Sequence, residues 1–88
     1  MNIYYTTQFK KDYKRIKKQY KNLDKLKTII DTLTAGNILS MKYCDHQLSG
    51  IWKGHRDCHI EPDWLLIYRL TFNSLYLERT GSYSDLFK

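Results

Sequence analysis

Three histidines fall between residues 46 and 59, at His46, His55 and His59, with Asp57 and Asp63 a few positions away. Two cysteines, Cys44 and Cys58, lie in the same stretch. Three chemistries can draw on such a set. The first is metal binding: Cys44, His46, Cys58 and His59 are all zinc-ligand types. Against it, Cys44-x-His46 is not a usual ligand spacing, and adjacent Cys58 and His59 point to opposite faces of a strand. The second is nucleophilic catalysis by a cysteine with a histidine, which no local context supports; a small buried thiol is the commoner role for Cys58. The third is metal-free acid–base chemistry, since an imidazole with an ordinary pKa of ~6.5 gives or takes a proton near neutral pH. RNA cleavage by its own 2′-hydroxyl needs that inventory: a base for the hydroxyl, a cation for the phosphorane and an acid for the leaving 5′-oxygen. Histidines in a domain of this kind are also often structural or simply exposed, so residue types alone leave these readings open.

The elements that position these groups follow from periodicity. Asn2 to Tyr5 reads as a short strand, and Thr6 or Thr7 can cap the helix that follows. There Phe9, Tyr13, Ile16 and Tyr20 recur at helical spacing, with lysines between them. Asn22 can cap a second helix, whose apolar stripe is Leu23, Leu26, Ile29, Ile30 and Leu33, and Gly36 is a natural stop. Asn37 to Gly50 is irregular. Gly54–Glu61, Trp64–Thr71 and Ser74–Thr80 read as strands separated by Pro62-Asp63 and Phe72-Asn73, with Ser82–Lys88 as a short tail. Trp64-Leu65-Leu66-Ile67-Tyr68 is nearly all apolar, as a central strand covered on both faces should be. Alternation places His55, Asp57 and His59 on one face of their strand and Arg56, Cys58 and Ile60 on the other; which face meets the helices is not fixed by pattern alone. The fold class is α+β, in the order β-α-α-β-β-β, a mostly antiparallel sheet with two helices packed on one face.

The length of 88 residues fits one domain spanning 1–88, and 42% hydrophobic with 27% charged residues fits a globular chain. No apolar run approaches the ~18 residues of a membrane span, and the N-terminus lacks the basic and apolar stretches of a secretion signal. The expected setting is the cytoplasm, with both cysteines reduced and no membrane partner. The net charge of +6 is uneven. From Lys10 to Lys27 there are nine basic residues against two acidic ones, a surplus of +7, so the rest of the chain carries −1. Such a stripe attracts RNA, DNA or an acidic protein tail, although a basic helix face is also commonly just solvated.

Three blocks carry a resemblance. Asp45-His46-Gln47-Leu48, then Arg56-Asp57-Cys58-His59-Ile60-Glu61-Pro62-Asp63-Trp64-Leu65-Leu66-Ile67-Tyr68, then Arg79-Thr80-Gly81-Ser82-Tyr83-Ser84-Asp85-Leu86-Phe87 closely resemble the signature blocks of the YafQ toxins, a branch of the RelE-like toxins of bacterial type II toxin–antitoxin systems. The opening strand and Phe9-Lys10-Lys11-Asp12-Tyr13-Lys14 match as well, so the resemblance covers essentially the whole chain. It implies a RelE-like fold of about four strands with two helices on one face. It also implies an endoribonuclease that enters the ribosomal A site and cuts mRNA there without a metal or other cofactor. A cognate antitoxin would silence it, and the pair would bind promoter DNA through the antitoxin.

The resemblance also assigns residues. His46, His59 and Asp63 match catalytic positions, Trp64 stands beside them, and Phe87 matches the terminal phenylalanine. The family's third block usually reads Gly-Ser-His-Ser, with the histidine as proton donor; here Tyr83 takes that place. A phenol of ordinary pKa ~10 is a poor base at pH 7 but donates a proton or hydrogen-bonds a phosphate oxygen. The RNA-contacting set is then Lys10, Lys11, Lys14, Arg15, Lys17 and Lys18 for phosphates, with Arg79 on the phosphorane and Trp64 and Phe87 stacking on bases or shaping the pocket. Each has a plainer role beside it: Trp64 in the core, Arg79 in an ion pair with Glu78 or Asp85. Two other functions fit the same fold: a toxin that acts by binding, as the gyrase-poisoning relatives do, and a catalytically weak module that only binds its antitoxin.

Overall fold

The computed structural model describes residues 1–87. Strand β1 (Asn2–Tyr5) passes through Thr6 into helix α1 (Thr7–Lys18). The Thr6 hydroxyl accepts a hydrogen bond from the Phe9 N–H at 3.0 Å, the cap bond expected of a threonine at that position. Helix α2 (Leu23–Thr34) is capped in the same way by Asn22, whose side-chain oxygen accepts from the Asp24 N–H at 3.1 Å. Gly36 ends it with a φ of 77°, a conformation that costs a residue without Cβ little. Then come strands β2 (His46–Gln47), β3 (Arg56–Glu61), β4 (Trp64–Leu70) and β5 (Ser74–Gly81), and a short helix α3 (Tyr83–Phe87). Single 3₁₀ turns at Met41–Tyr43 and Gly50–Trp52 flank β2.

The sheet order is β1-β5-β4-β3-β2, with β1 parallel to β5 and every other pair antiparallel. This is the expected order with two additions. β2 has only two residues, too few to leave a period in the sequence. The expected tail is a helical turn because Ser82 and Asp85 bond reciprocally: Asp85 Oδ2 accepts from the Ser82 N–H at 3.1 Å and Ser82 Oγ from the Asp85 N–H at 3.1 Å. The third strand begins at Arg56 rather than Gly54, since the His55 N–H is spent on the Trp52 carbonyl in the preceding turn.

Helices α1 and α2 cover one face of the sheet. Phe9, Ile16, Leu26, Ile29 and Leu33 meet Cys58, Ile60, Trp64, Leu66, Tyr68, Leu75 and Leu77 in the main core. On the opposite face Leu65, Ile67 and Leu86 form a smaller cluster, with Leu48, Trp52 and Phe87 packed against it. Both faces of β4 are therefore covered, which explains its unbroken apolar run. Tyr20 departs from the expected apolar stripe: α1 ends before it, and its side chain is 94% exposed.

β1 ends opposite Leu77, which leaves the backbone of β5 beyond that point without a neighbouring strand. The start of α1 fills the gap. The Thr6 N–H donates to the Leu77 carbonyl and its hydroxyl to that of Glu78. Asp12 accepts from the Thr80 N–H at 3.2 Å, and an Arg15 guanidinium nitrogen donates to the Thr80 carbonyl at 3.0 Å.

Candidate functional site

The alternation of β3 is resolved by its burial. Cys58 and Ile60 enter the helix-side core, so Asp57 and His59 emerge on the other face. Burial pushes the Cys58 thiol well above its ordinary range, which leaves it no thiolate character at neutral pH. Cys58 and His59 thus diverge, and among the described residues no three His, Cys, Asp or Glu side chains gather as a metal-ligand group.

β2 carries His46. It pairs His46 with Asp57 and Gln47 with Arg56. The His46 Nδ1 lies 2.9 Å from the Cys44 carbonyl oxygen and 3.0 Å from Asp57 Oδ1. Its N–H is aimed at the carbonyl, and Asp57 Oδ1 accepts no hydrogen bond, so the carboxylate acts on the imidazole as a charge. Asp57 is nearly buried while the His46 side chain is half exposed. Burial pushes the Asp57 carboxyl up from its ordinary value, and charge on His46 and His59 pulls it part of the way back. The His59 Nδ1 lies 3.2 Å from the Pro62 carbonyl. Donation from Nδ1 leaves the Nε2 of each imidazole with a lone pair for a substrate.

Asp63 lies in the turn after Pro62, and its Oδ1 accepts from the Tyr83 N–H at 3.3 Å. That bond ties the start of α3 to the β3–β4 turn. Leu86 seats α3 against Leu65 and Ile67, on the face that carries His59. Tyr83 is 60% exposed, and its ring lies 5.1 Å from that of Phe87. Four separate segments therefore bring His46, His59, Asp63, Tyr83 and Phe87 to one end of one sheet face. Beside His59 runs a cleft of about 520 Å³, lined also by Lys25, Lys42, Tyr43, Cys44 and Pro62.

Three expected contacts are not placed for RNA. Trp64 is fully buried on the helix side, and its indole N–H donates to the Thr80 hydroxyl at 2.9 Å; no base reaches its ring. Adjacent residues of a strand point to opposite faces, so standing next to Asp63 in sequence puts Trp64 away from it in space. Arg79 pairs with neither Glu78 nor Asp85 but with buried Asp12, at 2.7 and 3.2 Å. Arg15 pairs with Asp12 at 3.1 Å and with Asp85 at 3.6 Å, which removes it from the mobile cations of α1. Lys10, Lys11, Lys14, Lys17 and Lys18 stay exposed and have no acidic partner among the described residues. His55 turns away from the cluster to Glu78, 3.0 Å from its Nε2. Asp57, given no role from sequence, is the residue the pairing adds; a two-residue strand leaves no signal that would have joined it to His46.

The whole chain, residues 1–88, matches the family described as bacterial toxin of type II toxin-antitoxin system, YafQ. It is 48% identical over 88 residues to the mRNA interferase toxin YafQ of Escherichia coli (strain K12), spanning 98% of this chain and 95% of the relative. The crystal structure of YafQ from E. coli strain BL21(DE3) superposes with a TM-score of 0.95 at 45% identity, covering 99% of this chain and 98% of that one. The crystal structure of the E. coli DinJ-YafQ complex gives 0.91 at 45% identity, with 99% and 98% covered.

Proposed function

Because this chain belongs to the YafQ family of bacterial type II toxins, we propose that it is a ribosome-dependent mRNA interferase that cuts translated mRNA in the A site by acid–base chemistry, without a metal. The observation that carries the reading is the convergence of His46, His59, Asp63 and Tyr83, from four segments, on one exposed rim beside a cleft. In this scheme the Nε2 of His59 takes the proton of the 2′-hydroxyl, whose oxygen attacks the adjacent phosphorus. His46, when protonated, faces the phosphorane oxygens with Asp57 behind it. The bond to the 5′-oxygen breaks, and Tyr83 supplies that oxygen's proton, leaving a 2′,3′-cyclic phosphate and a 5′-hydroxyl. Asp63 holds the segment that carries Tyr83, and Phe87 offers an aromatic edge for a base.

The five lysines of α1 that have no acidic partner among the described residues would bind ribosomal RNA, since they lie on the helix layer and leave the catalytic face to mRNA. A cognate antitoxin is expected, as the E. coli toxin forms a complex with DinJ, with promoter DNA bound through the antitoxin. The test is single-turnover cleavage of mRNA on ribosomes by wild type and by the double variant His46→Ala/His59→Ala, in buffer with and without EDTA. Acid–base groups typically contribute ~10²–10⁴-fold each, so the variant should lose nearly all cleavage while EDTA changes nothing. Full cleavage by the variant refutes the mechanism, and growth arrest without cleavage points to a toxin that acts by binding.

A further inference from the structure

Tyr20 sits where folding alone gives no reason for a tyrosine. Helix α1 closes with two bonds: the Tyr20 N–H donates to the Lys17 carbonyl at 3.1 Å, and the Lys21 N–H to the Ile16 carbonyl at 3.2 Å. Helix α2 closes identically, with Gly36 N–H to Leu33 at 3.1 Å and Asn37 N–H to Thr32 at 3.1 Å. This pairing forces the residue just past the helix into the left-handed region, the reason glycine is preferred there. Gly36 obeys the preference; Tyr20 occupies the same position at φ 58° with a Cβ and a full ring. The ring recovers nothing by burial, being 94% exposed. A strained non-glycine residue that persists without packing points to a function.

Its surroundings indicate which. Tyr20 shares a shallow recess with Lys14, Lys17 and Lys18, three exposed lysines with no acidic partner among the described residues. We propose that Tyr20 is a base-stacking residue of this basic face, taking an unpaired nucleobase of RNA while Lys14, Lys17 and Lys18 hold the phosphates around it. The proposal rests on the reading of α1 as an RNA-binding face and specifies what that face binds: RNA with an extruded or single-stranded base. A solvated lysine stripe, or one that holds an acidic peptide, needs no aromatic ring at a strained position. A nucleobase supplies a π-face for it, and because every base has one, no sequence preference follows.

The experiment is fluorescence anisotropy of the full-length protein with two labelled, 2′-O-methylated RNAs that cannot be cut, a hairpin with an unpaired loop and a blunt duplex of equal length. Loss of one aromatic–base stack weakens binding by about five- to a hundredfold. Tyr20→Gly should bind the hairpin at least about fivefold more weakly, leave duplex binding within about twofold, and melt no lower than wild type because glycine relieves the left-handed backbone. Tyr20→Trp should keep hairpin affinity. The triple variant Lys14→Ala/Lys17→Ala/Lys18→Ala should weaken both RNAs and flatten the salt dependence. If the triple variant weakens RNA binding but Tyr20→Gly does not, the stacking role is overturned and the basic-face reading stands. If the triple variant also binds as wild type, the basic-face reading itself falls. A lower melting temperature in Tyr20→Gly, or a loss of antitoxin affinity with hairpin binding intact, likewise overturns the proposal in favour of a structural or protein-binding ring.

Discussion

Replacing Asp12 by alanine should unseal the edge of the sheet. Its carboxylate is fully buried and accepts from Arg79 Nε at 2.7 Å, Arg15 at 3.1 Å, the Thr80 N–H at 3.2 Å and the Gln8 amide at 3.2 Å. Truncation strands a buried backbone N–H on β5, leaves the Arg79 guanidinium without its anion and leaves Arg15 with only the longer pair to Asp85 at 3.6 Å. Breaking a buried pair by removing one partner costs about 3–5 kcal/mol. Arg79 keeps 21% of its side-chain surface in water and Arg15 keeps 35%, so both can turn outward, which favours the lower end, about 3 kcal/mol. For a chain of 88 residues that is a large share of a total of roughly 4–13 kcal/mol, and it should lower Tm by roughly 12–24 °C. The acid limb offers a second readout. Burial raises the Asp12 pKa, but the bonds from Arg79, Thr80 and Gln8 outweigh it and hold the carboxyl below its ordinary 3.8. Its stabilisation is therefore complete above the unfolded value and lost as pH falls through the folded one. Urea denaturation of wild type, Asp12→Ala and Asp12→Asn at neutral and acidic pH measures both. A loss under about 1 kcal/mol in Asp12→Ala at pH 7, or an acid limb unchanged in Asp12→Asn, would refute the sealing argument.

Asp57→Asn should slow cleavage by removing the charge behind His46 while leaving the protein at least as stable as wild type at neutral pH. Because the Asp57 pKa is raised by burial, wild type should lose stability relative to this variant as pH rises through that value, as paired denaturation curves would detect. Gly81→Ala should destabilise, since its φ of 156° is one that a side chain with a Cβ rarely adopts, and the added Cβ would also crowd the Arg15 guanidinium nitrogen at 2.5 Å and the Asp85 side chain at 3.1 Å; thermal melts check it. Tyr83→Phe should lose cleavage without loss of stability if the hydroxyl donates the proton, and Tyr83→His should cleave less well as pH rises through the imidazole's range. Wild-type cleavage in Tyr83→Phe would remove the hydroxyl from the mechanism.

Local signals carried most of the fold. Thr6, Asn22 and Gly36 each act on backbone groups within a few residues, and each forms the cap or stop its type implies. The central strand was legible because both of its faces are covered. Signals that depend on distant pairing were not. Asp12 and Arg79 are 67 positions apart, and nothing local joins them. Tyr20 continues the spacing of the α1 stripe, but the chain reverses just before it, and periodicity does not register a helix end that lacks glycine. Within the candidate site the converse holds: His46, His59, Asp63 and Tyr83 were named by motif, while their convergence depends on a two-residue strand and one backbone bond from Tyr83 to Asp63.

That last bond bears on the departure at Tyr83. The position is anchored through its backbone N–H on Asp63 and through Leu86 beneath α3, and its side chain is 60% exposed. The fold therefore fixes where the group stands but places little demand on what it is. Histidine and tyrosine can exchange there without repacking, because neither ring is needed to seat the helix. The same separation runs through the whole third block. Arg79 and Thr80 lie along the β5 edge that α1 covers, where Asp12 binds the Arg79 guanidinium and the Thr80 N–H and Arg15 binds the Thr80 carbonyl, so these contacts answer to stability. Tyr83 and Phe87 lie on α3, beyond the end of β5, and it is they that the proposed mechanism draws on. A motif that reads as one functional unit in sequence is two units in space, divided where β5 ends at Gly81 and the chain turns into α3.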